Sequence, residues 1–200
     1  SQSLVWAIVT AQAEAAAPFR IDGETGQLYT TRSFNFEDKS EFDLTVSIKD
    51  SAEPSDLIGP AFVVSQTVKV QIIDVNEPPV FRAQCNVDLS LTACVSLSEA
   101  ATTLSDLSLN ATDTDAKQGL TYNIVNGNSQ KIFALDATTG KITIANAVLD
   151  YETKPEHVLT VSVTDDGTPP LSTWSSVKIS LIDANEPPRA SDQTRSIPEN

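Results

Sequence analysis

The chain contains no methionine, one histidine, two cysteines and two tryptophans in 200 residues. A lone His157 cannot build the imidazole-rich sites that zinc and copper favour. No serine or cysteine stands in a recognisable nucleophile context, so a hydrolase triad has no footing. Basic residues are few: 13 Lys and Arg against 27 Asp and Glu, a formal net charge of −14. A surface of that sign repels phosphate, which argues against a nucleic-acid partner. Long apolar runs are absent as well. None approaches the roughly 20 residues that cross a bilayer, so a membrane attachment is expected only through parts of a parent protein outside this chain. The stretch from Leu4 to Ala17 superficially has the apolar core and small residues of a secretion signal. It lacks an initiating Met and a basic start, and it reads as a strand instead.

What is present is a repeat. Ile72-Ile73-Asp74-Val75-Asn76-Glu77-Pro78-Pro79 returns as Leu181-Ile182-Asp183-Ala184-Asn185-Glu186-Pro187-Pro188. Each copy ends an alternating apolar run, Val68, Val70, Ile72 in the first and Val177, Ile179, Leu181 in the second. That period of two is the signature of a strand with one buried face. Proline cannot donate to a ladder, so the sheet must stop at each Pro-Pro step. The acidic cluster before it reads as a seam between two domains. Further pairs extend the match: Phe19 to Gly26 with Phe133 to Gly140, Leu44 to Asp50 with Leu159 to Asp165, and Leu4 to Val9 with Leu120 to Val125. The unit is about 110 residues long, the size of a small β-sandwich. Trp6 falls opposite Tyr122 on a strand and reads as packing. Ser51 to Pro60 reads as a hairpin loop, and Asp165 to Pro170 as a turn in which Gly167 can take positive φ.

Those residues carry a resemblance. The two D-x-N-E-P-P seams, Asp113-Thr114-Asp115, Leu149-Asp150-Tyr151-Glu152, and the acidic steps Ser98-Glu99-Ala100 and Pro198-Glu199-Asn200 are similar to the marks of the cadherin repeat, along nearly the whole chain. The resemblance implies an all-β fold: tandem Greek-key, immunoglobulin-like β-sandwiches of the cadherin type, seven strands to a unit. It implies a partial repeat at residues 1–75 that lacks its opening strands, a complete repeat at 76–184, and a linker with the first strand of a third at 185–200. Inward residues of the complete unit should include Leu107, Leu109, Tyr122, Ile124, Phe133, Leu135, Ile142, Leu159, Val161, Val163, Val177, Ile179 and Leu181.

The resemblance also implies calcium as the cofactor, with three ions at each seam. By position, the first seam would draw on Asn35 and Glu37 from the lower repeat. The linker would give Asp74, the Val75 carbonyl, Asn76, Glu77 and the Pro78 carbonyl, and the upper repeat Asp113, Asp115 and Asp165. The second would use Glu99, Asp150, Glu152, Asp183, the Ala184 carbonyl, Asn185 and Glu186. Chemistry agrees, because Ca²⁺ wants six to eight oxygens and these seams supply almost nothing else. Asn35 stands where the family usually has Asp, and Glu77 and Glu186 where many members have Asp.

Cys85 and Cys94 lie in an insertion before Glu99. In a chain of extracellular character they read as a local disulfide, with two buried free thiols as the alternative. The sequon Asn110-Ala111-Thr112 fits a secreted protein. The functional expectation is a calcium-rigidified extracellular rod at the cell surface, used in adhesion or as a spacer, with another cadherin-type protein as partner. A carbohydrate- or protein-binding sandwich module is the alternative. A glycosidase needs two opposed acids across a cleft; these acids cluster at domain ends, and no enzyme is expected.

Overall fold

The computed structural model describes residues 4–10, 18–50, 62–85, 91–104, 107–115, 117–146 and 149–187. The loop expected at Ser51 to Pro60 and the step at Glu199 lie outside them. The described residues form strands and no helix, so the all-β expectation is borne out. Two compact units divide the chain, Ser1–Val75 and Asn76–Asn200.

Among the described residues the first unit has five strands. β1 (Leu4–Thr10), β4 (Glu41–Asp50) and β5 (Val63–Gln71) form one antiparallel sheet in the order β1-β4-β5. β2 (Phe19–Ile21) and β3 (Leu28–Thr30) form a hairpin. Its turn is closed by Asp22, whose Oδ1 accepts the N–H groups of Glu24 (3.0 Å) and Thr25 (2.8 Å). Gly26 completes the turn at φ 73°. A side chain there would be strained, and its Cβ would lie 2.7 Å from the Trp6 ring. Trp6 therefore packs over the hairpin, as read. Phe19, Leu44 and Val46 are buried, and the half-buried Phe34 and Phe42 lie against Phe19 and each other at centroid distances of 5.2–5.4 Å.

The alternation Val68, Val70, Ile72 is only partly buried, which differs from expectation. Phe62, Val63, Val64 and Val68 are all exposed. Among the described residues β5 is the edge of its sheet, with β4 as its one neighbour.

The second unit shows what covers such a strand. β7 (Ala93–Ser98), β13 (Ser172–Ile182), β12 (Glu156–Thr164) and β9 (Thr121–Asn126) form a four-stranded sheet in the order β7-β13-β12-β9. β7 runs parallel to β13, from Val177 opposite Ala93 to Ile182 opposite Ser98. β6 (Val80–Phe81) pairs with β8 (Ala111–Thr112), and β10 (Phe133–Leu135) with β11 (Ile142–Ile144). A bridge between Ser108 and Lys141 links the segment before β8 to the one before β11. Between the layers Ile142, Leu159, Val161, Val163, Val177 and Ile179 are fully buried. Each such side chain contributes roughly 1.5–3 kcal/mol by leaving water. All the residues expected to point inward belong to this core, Ile124 and Leu135 as partly buried members. The hairpin turn of the first unit recurs: Asp136 Oδ1 accepts from Thr138 and Thr139, and Gly140 sits at φ 69°.

Among the described residues the second unit has eight strands where seven are expected. The opening segment is split, β6 lying against β8 and β7 against β13. The chain crosses from one layer to the other between them. A disulfide joins Cys85 to Cys94 across that crossing, so the two thiols are bonded rather than free. Cys85 is buried, and Gln84 donates its N–H to the Thr92 carbonyl beside the bridge.

Two measurements follow from this fold. Replacing both cysteines by alanine frees the crossing segment in the unfolded chain and should cost about 2–3 kcal/mol in denaturant unfolding. An unchanged midpoint would show that the bridge constrains nothing. The second concerns His157, which is 3% exposed and meets Phe133 edge to face. Burial, and then Lys154, hold its pKa below the ordinary value near 6.5. The unfolded chain then binds more protons below that value, so stability is complete above about pH 6.5 and falls as pH drops through it. Asp22, Asp136, Asp165 and Glu41 are also held low, but their contributions are lost only as pH falls through about 4.5 and below. Thermal melts in chelator from about pH 7.5 to about pH 5 should fall for the native chain and stay level for His157→Phe. An equal fall in the variant would assign the dependence to another group.

Candidate metal centres

The strand frame gathers the acids of the second unit at its two ends. Asn76 and Glu77 precede β6, Asp113 and Asp115 follow β8, and Asp165 follows β12. The register places these loops together, since the start of β6 meets the end of β8 and the end of β12 lies between the starts of β9 and β13. Glu99 follows β7, Asp150 and Glu152 precede β12, and Asp183 follows β13. The last residue of β7 pairs with the last of β13, and the first of β12 pairs near that same end. This group therefore sits at the opposite end of the unit.

At the first end, backbone N–H groups fix the acids. Asp115 Oδ2 accepts from Glu77 N–H at 2.9 Å, and Asp113 Oδ1 accepts from Asp115 N–H at 3.0 Å. The other oxygen of each, Asp113 Oδ2 and Asp115 Oδ1, is buried without a hydrogen-bond donor. A carboxylate oxygen can only accept, and leaving one buried and unmatched costs several kcal/mol unless a cation meets it. Carboxylate oxygens of Glu77 and Asp115 lie within 4.8 Å of each other. At an effective dielectric near 20 that repulsion is on the order of 3 kcal/mol.

Asp165 is buried and saturated differently. Its Oδ1 accepts from Gly167 and Leu171, each at 3.0 Å, and its Oδ2 from Asn76 Nδ2 at 3.3 Å. Burial alone would raise its pKa. The N–H groups of Leu171 and Gly167 and the Asn76 amide outweigh that and hold the carboxyl below its usual range. Asn76 also donates to the Pro169 carbonyl at 3.0 Å and accepts from Gln118 Nε2 at 2.6 Å.

Gly167 differs from the expectation of a positive φ. It is not among the glycines at positive φ. Its use is space, because a Cβ there would meet Asn76 Oδ1 at 1.8 Å.

At the second end, carboxylate oxygens of Glu99, Asp150 and Glu152 all lie within 4.8 Å of one another. Glu99 is the buried member. Its Oε2 accepts from Tyr151 N–H at 2.6 Å and its Oε1 from Ala184 N–H at 2.7 Å, which ties the end of β7 to both the Asp150 turn and the segment that follows β13. Asp150 accepts from the Thr153 N–H and hydroxyl. Glu152, Asp183, Ala184, Asn185, Glu186 and Pro187 line an open groove beside this cluster.

In the first unit, Asn35 and Glu37 are exposed on a turn where Asn35 Oδ1 accepts from Glu37 N–H at 3.1 Å. Lys39 donates its N–H to the Asn35 carbonyl, just as Lys154 donates to that of Asp150. Asp74 and Val75 are exposed at the end of that unit, and Pro78 is exposed in the second. Gln118 was not among the expected ligands. Its one sequence signal is its place between the Asp-x-Asp step and Gly119.

Both ends offer carboxylate, amide and backbone oxygen and neither nitrogen nor sulfur ligands. The buried acceptors of Asp113 and Asp115 have no donor among the described residues, and this donor set fits a hard divalent cation such as Ca²⁺.

Residues 94–182 match the family profile of the cadherin domain. The chain is 34% identical over 172 residues to the Drosophila melanogaster protein "Fat-like cadherin-related tumor suppressor homolog", a match covering 84% of this chain and 3% of that protein. It is 30% identical over 174 residues to "Protocadherin Fat 2" of Mus musculus, covering 86% of this chain and 4% of that protein. The fold is similar to that in "Crystal Structure of Mouse Cadherin-23 EC22-24", with a TM-score of 0.61 and 26% identity over 90% of this chain and 53% of that one. The chain thus spans a small part of the curated relatives it matches. By profile, by identity to these relatives and by fold, the chain belongs to the cadherin repeat family.

Proposed function

We propose that this chain is a calcium-binding extracellular rod segment, serving calcium-dependent cell adhesion or a rigid spacer. The observation that carries the reading is the pair of buried, donor-less oxygens on Asp113 and Asp115. Two acids whose remaining oxygens face no donor are poised for a cation. The triad Glu99, Asp150 and Glu152 supports it as a second close-packed acidic cluster at the other end of the same unit.

Bound calcium supplies compact positive charge that cancels the mutual repulsion of the carboxylates. This chain's residues do the rest. Asp113, Asp115, Asp165, Asn76 and Glu77 would hold the first site from the second unit, joined by the Pro78 carbonyl. Asn35, Glu37, Asp74 and the Val75 carbonyl would complete it from the first unit, a part that rests on the family resemblance. Glu99, Asp150, Glu152, Asp183, Asn185, Glu186 and the Ala184 carbonyl would hold the second site. Residues 1–75 then act as a partial repeat, 76–184 as a complete one, and 185–200 as the step into a third. The partner class is another cadherin-type protein, the same or different, and the place is the cell surface. Catalysis has no part in the reading.

Small-angle scattering tests the rod directly. In millimolar calcium the distance distribution should extend and sharpen, and in chelator it should contract and broaden as the acids repel. Asp115→Asn removes one ligand charge and should weaken calcium binding about tenfold or more, with the scattering change moving to correspondingly higher calcium. A distribution that ignores calcium would defeat the rod reading.

A further inference from the structure

The amide of Asn76 is held from three sides. Its Nδ2 faces two acceptors, Asp165 Oδ2 at 3.3 Å and the Pro169 carbonyl at 3.0 Å. Neither can donate, so nitrogen must occupy that position and Oδ1 must point the other way. There Gln118 Nε2 donates to it at 2.6 Å. On the third side the amide lies against the bare α-carbon of Gly167, so closely that a Cβ would stand 1.8 Å from Oδ1. Gln118 is itself set by its neighbours. Lys117 takes a left-handed φ of 79°, rare and strained for a residue with a side chain, and Gly119 donates its N–H to Asp166 Oδ1 at 2.9 Å. The remaining amide atom, Gln118 Oε1, is buried with no partner.

We infer that Gln118 is a positioning residue for the first cation site, acting through Asn76 with Gly167 as the second wall; this rests on the calcium reading above. An amide oxygen has two lone pairs. Gln118 takes one and, with Nδ2 anchored, leaves the other in a fixed direction for a cation. Without that N–H, Asn76 keeps its two Nδ2 bonds but loses the partner that sets Oδ1, so its oxygen is held less firmly in that direction. A ligand that must first be ordered binds less tightly than one already in place. A strained Lys117 and a buried, unmatched Gln118 oxygen are local costs that a merely solvated loop would not keep.

The test uses the whole chain with Gln118→Met, which keeps the length and removes the amide, and Gly167→Ala as an independent approach to the same group. In chelator, the side-chain NH₂ signals of Asn76 in amide NMR should be sharp and slowly exchanging in the native chain. They should broaden or move in both variants while the backbone spectrum of the sandwich stays in place. In calorimetric titration with calcium, Gln118→Met should weaken the first site about tenfold. In an Asn76→Ala background the same change should do almost nothing, because the group it orients is gone. An unaltered affinity in Gln118→Met, or an equal loss in both backgrounds, overturns the inference. The second result would show that Gln118 acts by its own oxygen. A native chain that takes up no calcium sinks the calcium reading and this inference together, whereas native binding untouched by either variant sinks this one alone.

Discussion

Backbone N–H groups hold acids of like charge where they would otherwise separate. Glu77 N–H holds Asp115, Tyr151 and Ala184 hold Glu99, and Gly167 and Leu171 hold Asp165. Each bond fixes a carboxylate in place, and on Asp113 and Asp115 it leaves the second oxygen without a donor. Hydrogen bonds to the ionised form also favour ionisation, as the lowered pKa of Asp165 illustrates. The result is a preorganised negative site. Its cost in repulsion is met by the core beneath it, and a divalent cation would relieve it.

The frame makes those bonds possible. A sandwich whose strands all end at two faces delivers its loops in two groups, and the acids sit one or a few residues beyond strand ends. Glu99 follows β7 immediately and reaches Ala184 because β7 runs parallel to β13 to its last residue. That pairing exists because the opening segment crosses between layers, and the Cys85–Cys94 bridge spans the crossing. The first unit shows the contrast: β5 has one neighbouring strand among the described residues, and its apolar side chains stay exposed.

Much of this was legible in the sequence. Period-two alternation located the core of the second unit down to Val177, Ile179 and Leu181, because a strand buried on one face must alternate. The repeated Asp-to-Gly turns were legible because only glycine sits easily at positive φ, and Asp caps its own turn. The split opening strand was not, since Val80-Phe81 is two residues long and has no period to read. The use of Gly167 is space rather than φ, and that depends on a contact with Asn76 from far along the chain. Gln118 was missed for the same reason: an amide-to-amide bond across 42 residues leaves no local pattern. The buried state of Val68 was over-read, because alternation shows which face could be covered and not whether a neighbour covers it.

Hydrogen exchange with and without calcium tests the central claim most directly, because it reads the acid-holding backbone groups themselves. With millimolar calcium, protection should rise at Glu77, at residues 113–119 and 165–171, and at Tyr151 and Ala184. The core strands β12 and β13 should already be protected in chelator and change little. Unchanged exchange at those loops, or a rise spread evenly over the whole sandwich, would contradict the account.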